Sequence, residues 1–250
     1  MKQALRMLSM ENSARNLLLN QRVSTKSPFV SVEVWKSCNC SPVEFDGPVY
    51  GGLDLSARTD LTSLVLIGKA TGVWQVRPHF WTPQVGLADR AHRDRAPYDV
   101  WHRQGFLRTT PGASVDYGHV AADIAGLVAD IDLRVIAFDR WRIDVMKKEL
   151  EALGLELPLE PFGQGYKDMG PAIDALEAEL LKARLAHGGH SALTMYAANA
   201  VITKDPAGSR KFDKARTTGR IDGMVALAMA MGAAAAVPED QAMEPELFFL

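Results

Sequence analysis

The stretch Val49-Tyr50-Gly51-Gly52-Leu53-Asp54-Leu55 decides how the rest of the chain is read. It is short, apolar or glycine apart from one acid, and closed by a polar turn at residues 56–60, which predicts a β-strand. Downstream, residues 61–68 (LTSLVLIG) form a second apolar run, and Thr71-Gly72 turns the chain into a third at residues 73–81. Three consecutive strands joined by short turns predict an antiparallel meander. Helical spacing follows over residues 87–103 and 117–130. Residues 134–138 (RVIAF) suit a buried strand, residues 143–153 the helix after it, and residues 157–162 a further strand. Residues 171–184 predict a helix, with Pro171 near its start and Ile173, Leu176, Leu180 and Leu181 on one face. Residues 192–202 are ambiguous. Residues 220–236 read as a nearly all-apolar helix, which must be buried. Strands first, then alternating helices and strands, then a buried helix: the order predicts an α/β domain with a mixed sheet.

Upstream of Val49 the pattern is weaker. Residues 1–21 have helical spacing interrupted by Ser, Asn and Arg, and residues 23–48 are rich in Ser, Pro and Asn with Trp35 as the one large anchor. This reads as an ordered linker or the stub of a preceding domain, so the compact domain is expected over residues 49–237, with 238–250 as a tail. The 250 residues are 47% hydrophobic and 23% charged, the composition of an ordinary globular domain with a sizeable core. A net charge of −2 does not announce a nucleic-acid binder, so any phosphate contact must come from a local basic stripe. Cys38 and Cys40 are too close to close a useful loop and too few for a structural zinc site, and are expected to be reduced thiols in the linker. There is no signal-peptide pattern, and the longest apolar run, residues 224–237, is too short to span a bilayer. The expectation is a cytoplasmic protein with no membrane partner.

Three acids stand in apolar surroundings. Asp54 lies inside the first strand between Leu53 and Leu55, Asp139 follows directly on the strand at 134–138, and Asp222 sits in the first turn of the terminal helix. A carboxylate beside a buried strand costs free energy unless something pairs with it. Hard divalent cations such as Mg²⁺ and Mn²⁺ are natural partners because they prefer oxygen ligands. Acids on a central strand, at a neighbouring strand's end and at a helix start can converge at one edge of a sheet. Such a cluster can hold two ions about 3.5–4 Å apart and hydrolyse a phosphodiester. Structural roles compete with this reading. Asp139 is placed to cap the following helix, and Asp222 to serve the helix dipole. Asp54 has neither excuse.

Taken in order, several pieces resemble the nuclease domain of the large terminase subunit of tailed double-stranded-DNA phages. They are Leu19-Asn20-Gln21-Arg22, Gly51-Gly52-Leu53-Asp54-Leu55-Ser56, Asp60-Leu61-Thr62, Phe138-Asp139-Arg140-Trp141, Gly163-Gln164-Gly165, Asn199-Ala200-Val201 and Arg220-Ile221-Asp222-Gly223. Each motif alone is weak; their order and spacing from residue 12 to residue 234 make the resemblance specific. It implies a ribonuclease-H-like fold, an antiparallel three-strand meander plus parallel strands flanked by helices. It also implies Asp54, Asp139 and Asp222 as catalytic and metal-binding acids for two Mg²⁺ or Mn²⁺ ions, and concatemeric viral double-stranded DNA as substrate. The implied partners are a terminase ATPase domain, the small terminase subunit and the portal, in the host cytoplasm. Members of that family carry an ATPase motor before the nuclease. No G-x-x-x-x-G-K-[ST] occurs here, so no ATP hydrolysis is expected, and residues 1–48 are read as the tail of the missing motor and its linker, in a truncated or split gene product.

Asp60, one turn after the Asp54 strand, is a minor metal candidate. Lys204, Arg210, Lys211, Lys214, Arg216 and Arg220 form the densest basic stretch and run into Asp222, which makes them candidates for DNA binding against the alternative of a solvated surface. Arg90, His92, Arg93 and Arg95 read as a solvated helix face. His187 and His190 flank Gly188-Gly189 and read as a turn rather than a metal pair, and Asp205-Pro206-Ala207-Gly208 reads as a turn. Two rivals to the endonuclease remain at this level. One is another ribonuclease-H-like enzyme such as a junction resolvase; the other is a non-catalytic module that docks DNA or the portal and regulates the motor.

Overall fold

β1 (Val49–Asp54) is buried along its whole length and lies inside the main sheet. The computed structural model describes residues 28–57, 59–140, 143–214, 217 and 219–237. The linker and tail readings for residues 1–27 and 238–250 lie outside the described residues. On one side of β1, β2 (Thr62–Ala70) and β3 (Val73–Pro83) pair antiparallel in succession. The turn between them has positive φ at both Thr71 (50°) and Gly72 (80°), the backbone that a two-residue hairpin needs to match strand twist. Beyond β3, β4 (Arg108–Thr110) adds parallel to it. On the other side of β1, β5 (Leu133–Phe138) and β6 (Leu159–Pro161) pair parallel, and β7 (Leu185–Ala186) joins the far end of β3. The order is β4-β3-β2-β1-β5-β6, the mixed sheet expected from the meander and the alternating segments that follow it, and in keeping with the ribonuclease-H-like fold that the resemblance implies. A separate hairpin pairs β8 (Ile202–Lys204) with β9 (Arg210–Phe212), closed by the Asp205–Gly208 turn, in which the Asp205 carboxylate accepts from the Ser209 amide.

Successive side chains on a strand point to opposite faces, and both faces here are covered. Val49, Leu53, Leu64, Leu66, Trp81, Ile136 and Phe138 pack against α4 (Tyr117–Val128) and α5 (Ile143–Ala152). Tyr50, Val65, Ile67, Val76, Phe80, Val135 and Ala137 pack on the other face. Against them lie α6 (Tyr166–Leu181), α7 (Ser191–Asn199) and α8 (Asp222–Ala236). That is why β1 lacks polar alternation. α8 is apolar on all sides because α6 and α7 cover the surface that the sheet leaves. It lies close on β1 at Gly52: a Cβ there would stand 1.9 Å from the Ala226 carbonyl oxygen, so glycine is required.

Three expectations need correction. The helix at 87–103 is two helices, α2 (Leu87–Asp94) and α3 (Tyr98–Arg103). Arg95 between them is left-handed at φ 49°, and Pro97 disfavours helical backbone at Ala96. α6 starts at Tyr166 rather than at Pro171, so Pro171 lies inside it and cannot donate to the carbonyl one turn back. Residues 28–48, expected as linker, pack into the same core: α1 (Val32–Ser37) buries Trp35, and Phe29, Val30 and Cys38 are also buried. Trp35 stacks on His187 at 4.1 Å between ring centroids and donates to Thr194 Oγ1 at 3.1 Å. His187 and His190 are structural: His187 bonds the Trp35 carbonyl at 2.9 Å, and the His190 ring accepts from the Leu193 amide at the start of α7. Cys38 and Cys40 are both free thiols.

Candidate metal centre

Asp54 is the last residue of β1, on the face shared with Tyr50 and Gly52, so its side chain points toward α8. Parallel pairing places Leu53 opposite Phe138, and one further residue brings Asp139 alongside Asp54 at the same sheet edge. Asp222 opens α8, whose N-terminus reaches that edge because Gly52 lets the helix lie against β1. A strand end, a neighbouring strand end and a helix start thus lie at the same edge of the sheet. The charges of the three acids act on one another: Asp139 and Asp222 both interact electrostatically with the Asp54–Lys214 pair.

Burial sets the electrostatics at this edge. Burial raises the Asp54 pKa above the usual carboxylate range, opposed by the Lys214 ammonium and by hydrogen bonding, with Asp139 adding to the rise. Lys214 Nζ donates to Asp54 Oδ2 at 3.1 Å, and Gln164 Nε2 donates to Oδ1 at 3.2 Å. Burial, then the Asp54 charge, lift Asp222 to about 6. Asp222 Oδ2 is enclosed and, among the described residues, has no hydrogen-bond partner. A buried orphan oxygen is costly unless something satisfies it. Among the described residues no group of three acid, histidine or cysteine side chains is arranged to hold a metal ion. The donor set itself, hard carboxylate oxygens with one left unsatisfied, fits a hard divalent cation.

The structural alternatives fare differently. Arg140, directly after Asp139, is not helical, so Asp139 does not cap α5, whereas Asp222 does stand in the first turn of α8, where its charge also serves the helix dipole. Asp60 is engaged elsewhere: it accepts from Arg220 and, at 3.4 Å, from Arg93 Nη2. The basic candidates separate. Arg210 is held against α6 by Asp174 and by Glu177 at 2.7 Å, and only 12% of its side chain is exposed, so it is a structural clamp rather than a free phosphate ligand. Lys211 lies 4.7 Å from the Tyr166 ring, Lys214 is on Asp54, and Arg220 is shared by Asp60 and Asp94. Lys204 is exposed at the end of β8, and Arg216 lies outside the described residues.

Sequence reasoning did not place Gln164, Asp94 or Arg93 at the site. Gln164 stood inside the quoted Gly163-Gln164-Gly165 motif. Its position just past a short strand, next to the one that ends before Asp139, was the available signal.

Comparisons with known proteins place the chain in a family. The family model for the terminase large subunit, endonuclease domain, matches residues 1–238. The large terminase subunit of Enterobacteria phage HK97 is 61% identical over 230 residues, covering 92% of this chain and 46% of that protein. Protein YmfN of Escherichia coli K12 is 27% identical over 239 residues, covering 86% of this chain and 50% of that one. The chain thus spans about half the length of the curated relatives it matches. The crystal structure of the HK97 large terminase superimposes with a TM-score of 0.80 at 60% identity, over 93% of this chain and 49% of that one. The large terminase nuclease of the thermophilic phage G20c with bound magnesium shares the fold, with a TM-score of 0.53 at 15% identity over 84% of this chain and 98% of its own. The chain belongs to the endonuclease-domain family of the terminase large subunit.

Proposed function

We propose that this chain is a divalent-metal-dependent endonuclease that cuts concatemeric viral double-stranded DNA during genome packaging. The observation that carries the reading is the placement of Asp54 at the end of β1, Asp139 one residue past the paired β5 and Asp222 at the start of α8, with the enclosed Asp222 Oδ2 lacking a partner among the described residues. G20c terminase nuclease structures with bound magnesium and with bound cobalt support the choice of cation class. Asp54, Asp139 and Asp222 would hold Mg²⁺ or Mn²⁺, in our reading two ions, which would supply an activated water and stabilise the charge on the leaving oxygen.

The residues of this chain do the rest. Gln164 fixes one oxygen of Asp54, which sets the direction of the other. Lys214 donates to that second oxygen, and its positive charge favours the ionised form of the buried carboxylate against the effect of burial. The apolar wall of β1 and α8 limits water at the site and so strengthens every charge interaction there. No ATP hydrolysis is assigned to the chain, which has no phosphate-binding loop motif. Its partners in the packaging machine would be the terminase ATPase domain, the small subunit and the portal, acting in the host cytoplasm. Among the described residues no helix is long and apolar enough to cross a membrane.

Purified Asp54→Asn should remain folded by circular dichroism and lose Mg²⁺- or Mn²⁺-dependent nicking of supercoiled plasmid. Retained nicking would refute the site. Full DNA binding by the parent protein without cleavage at saturating Mn²⁺ would favour a docking module. Preference for branched over linear duplex would favour a junction resolvase.

A further inference from the structure

Beside the metal centre, the end of α2 and the segment before α8 enclose an open cleft of about 520 Å³, lined by Arg93, Asp94, Arg95, Thr217, Gly219 and Arg220. Its keystone is Asp94, whose side chain is only 10% exposed. Asp94 accepts from Arg93 Nε at 2.7 Å, Tyr98 Oη at 2.9 Å and Arg220 Nε at 3.3 Å. Asp60 then ties Arg93 to Arg220 from the other side. Both guanidinium planes are thereby fixed. Among the described residues, neither Arg93 nor Arg220 uses Nη1 for a hydrogen bond or ion pair.

Arg95 differs from its neighbours. It is exposed, its side chain makes no hydrogen bond or ion pair among the described residues, and its backbone is left-handed at φ 49°. A helix ending in that conformation ordinarily carries glycine or asparagine, since a Cβ there is strained. The fold thus tolerates strain to place a long cation at the mouth of the cleft. Three arginines face two carboxylates, so the cleft keeps a net positive charge in a chain whose formal total is −2. Arg220 is also two residues from Asp222 and interacts with its charge, which makes the cleft continuous with the catalytic edge. Fixed guanidinium N–H groups with a free cation beside them match a tetrahedral anion in chemistry.

We propose that this cleft is a phosphate-binding subsite that grips the DNA backbone next to the bond being cut, with Arg95 as its free clamp and Asp94 as the positioning residue for Arg93 and Arg220. The proposal rests on the nuclease reading above. It adds residues that were expected to be only a solvated helix face.

The test is fluorescence anisotropy with a short labelled DNA duplex in EDTA, titrated with KCl, alongside plasmid nicking in Mg²⁺. Arg95→Ala and Arg95→Gly should each weaken binding several-fold and lower the slope of log K against log salt by about 0.9, the value for one lost phosphate contact. Arg95→Gly should do so while melting no lower than the parent, because it removes the strained Cβ. Nicking should show a raised KM with kcat nearly kept. If the parent protein nicks DNA and both variants bind with unchanged salt slope, the subsite is wrong and the nuclease reading stands. If the parent neither binds nor cuts DNA, the nuclease reading fails and the subsite falls with it.

Discussion

Replacing Gly52 by alanine should damage stability and cutting together, by an amount the structure sets. The added Cβ would lie 1.9 Å from the Ala226 carbonyl oxygen, 2.8 Å from its carbon and 2.9 Å from the Ala230 nitrogen. All three obstacles are backbone of α8, so no side chain can rotate away. Ordinary contact begins near 3.4 Å, so the helix must withdraw by about 1.5 Å. Overpacking of this kind costs about 1–3 kcal/mol, and a rigid backbone obstacle puts the cost near the top of that range. For a chain of this size, about 3 kcal/mol lowers the melting temperature by roughly 6–12 °C. Ala226 is one helical turn beyond Asp222, so the same movement carries the third carboxylate away from Asp54. Misplacing a reacting group by about 1 Å costs on the order of 10²-fold in rate. Gly51→Ala is the control. On the opposite face its Cβ meets side chains rather than backbone, Ile136 Cγ1 at 2.9 Å and Leu66 Cδ2 at 3.3 Å. It should cost about 1 kcal/mol and leave cutting within a few-fold of normal. The measurements are urea unfolding and single-turnover nicking in Mg²⁺. Gly52→Ala with parental stability and rate, or an equal defect in Gly51→Ala, would refute the close approach of α8 as the device that positions Asp222.

Asp222→Asn should make the metal-free protein more stable at pH 8 while abolishing cutting. The folded-state pKa is raised to about 6 from 3.8, so ionisation costs stability. The cost is absent below the unfolded value, grows between the two and is complete above 6. A shift of that size corresponds to about 3 kcal/mol, an upper bound because Asp54 shares it. Urea midpoints in EDTA from pH 3.5 to 8 should show the gap opening with pH; a pH-independent gap would contradict the account. Lys214→Ala should lower metal-free stability at pH 8 by about 1–3 kcal/mol, since Asp54 loses its counter-charge. Mg²⁺ should restore more stability to that variant than to the parent, as read by thermal melts across a Mg²⁺ titration. In the parent, Mg²⁺ or Mn²⁺ should raise the melting temperature with added metal, as binding to the folded state alone requires, and Asp54→Asn should lose most of that response. Gln164→Ala should reduce kcat more than it weakens metal binding, because the amide orients Asp54 rather than supplying a ligand.

What could be read from the residues divides along physical lines. β1 to β3 and β5 were legible because each is a continuous apolar run with turn residues at its ends. β4, β7, β8 and β9 are two or three residues long, too short for any period to register. The break at Arg95 was hidden because the left-handed position carries an arginine instead of the glycine that would mark it. α1 escaped because its burial depends on partners, His187 and Thr194, far along the chain. At the site, Asp54 was legible from its apolar setting, although it proves to end β1 rather than stand in its middle. Asp139 and Asp222 needed the resemblance, since a cap or a helix dipole accounted for each locally. Lys214 and Arg220 were singled out for their charge, but their partners Asp54 and Asp60 each lie 160 positions away, a pairing that no local window contains.

The order in which the three acids enter the chain has a consequence for synthesis. Asp54 and Asp139 belong to strands that can pair early, whereas Asp222 opens the last described helix. At roughly 5–20 residues per second, the ribosome needs about 4–17 s to travel from Asp139 to Asp222. Throughout that interval a nascent chain would carry only two of the three acids of the proposed centre. On the proposed reading, docking of α8 into the groove that Gly52 keeps open would complete both core and centre, and a nascent chain would gain no capacity to break DNA before that helix is in place.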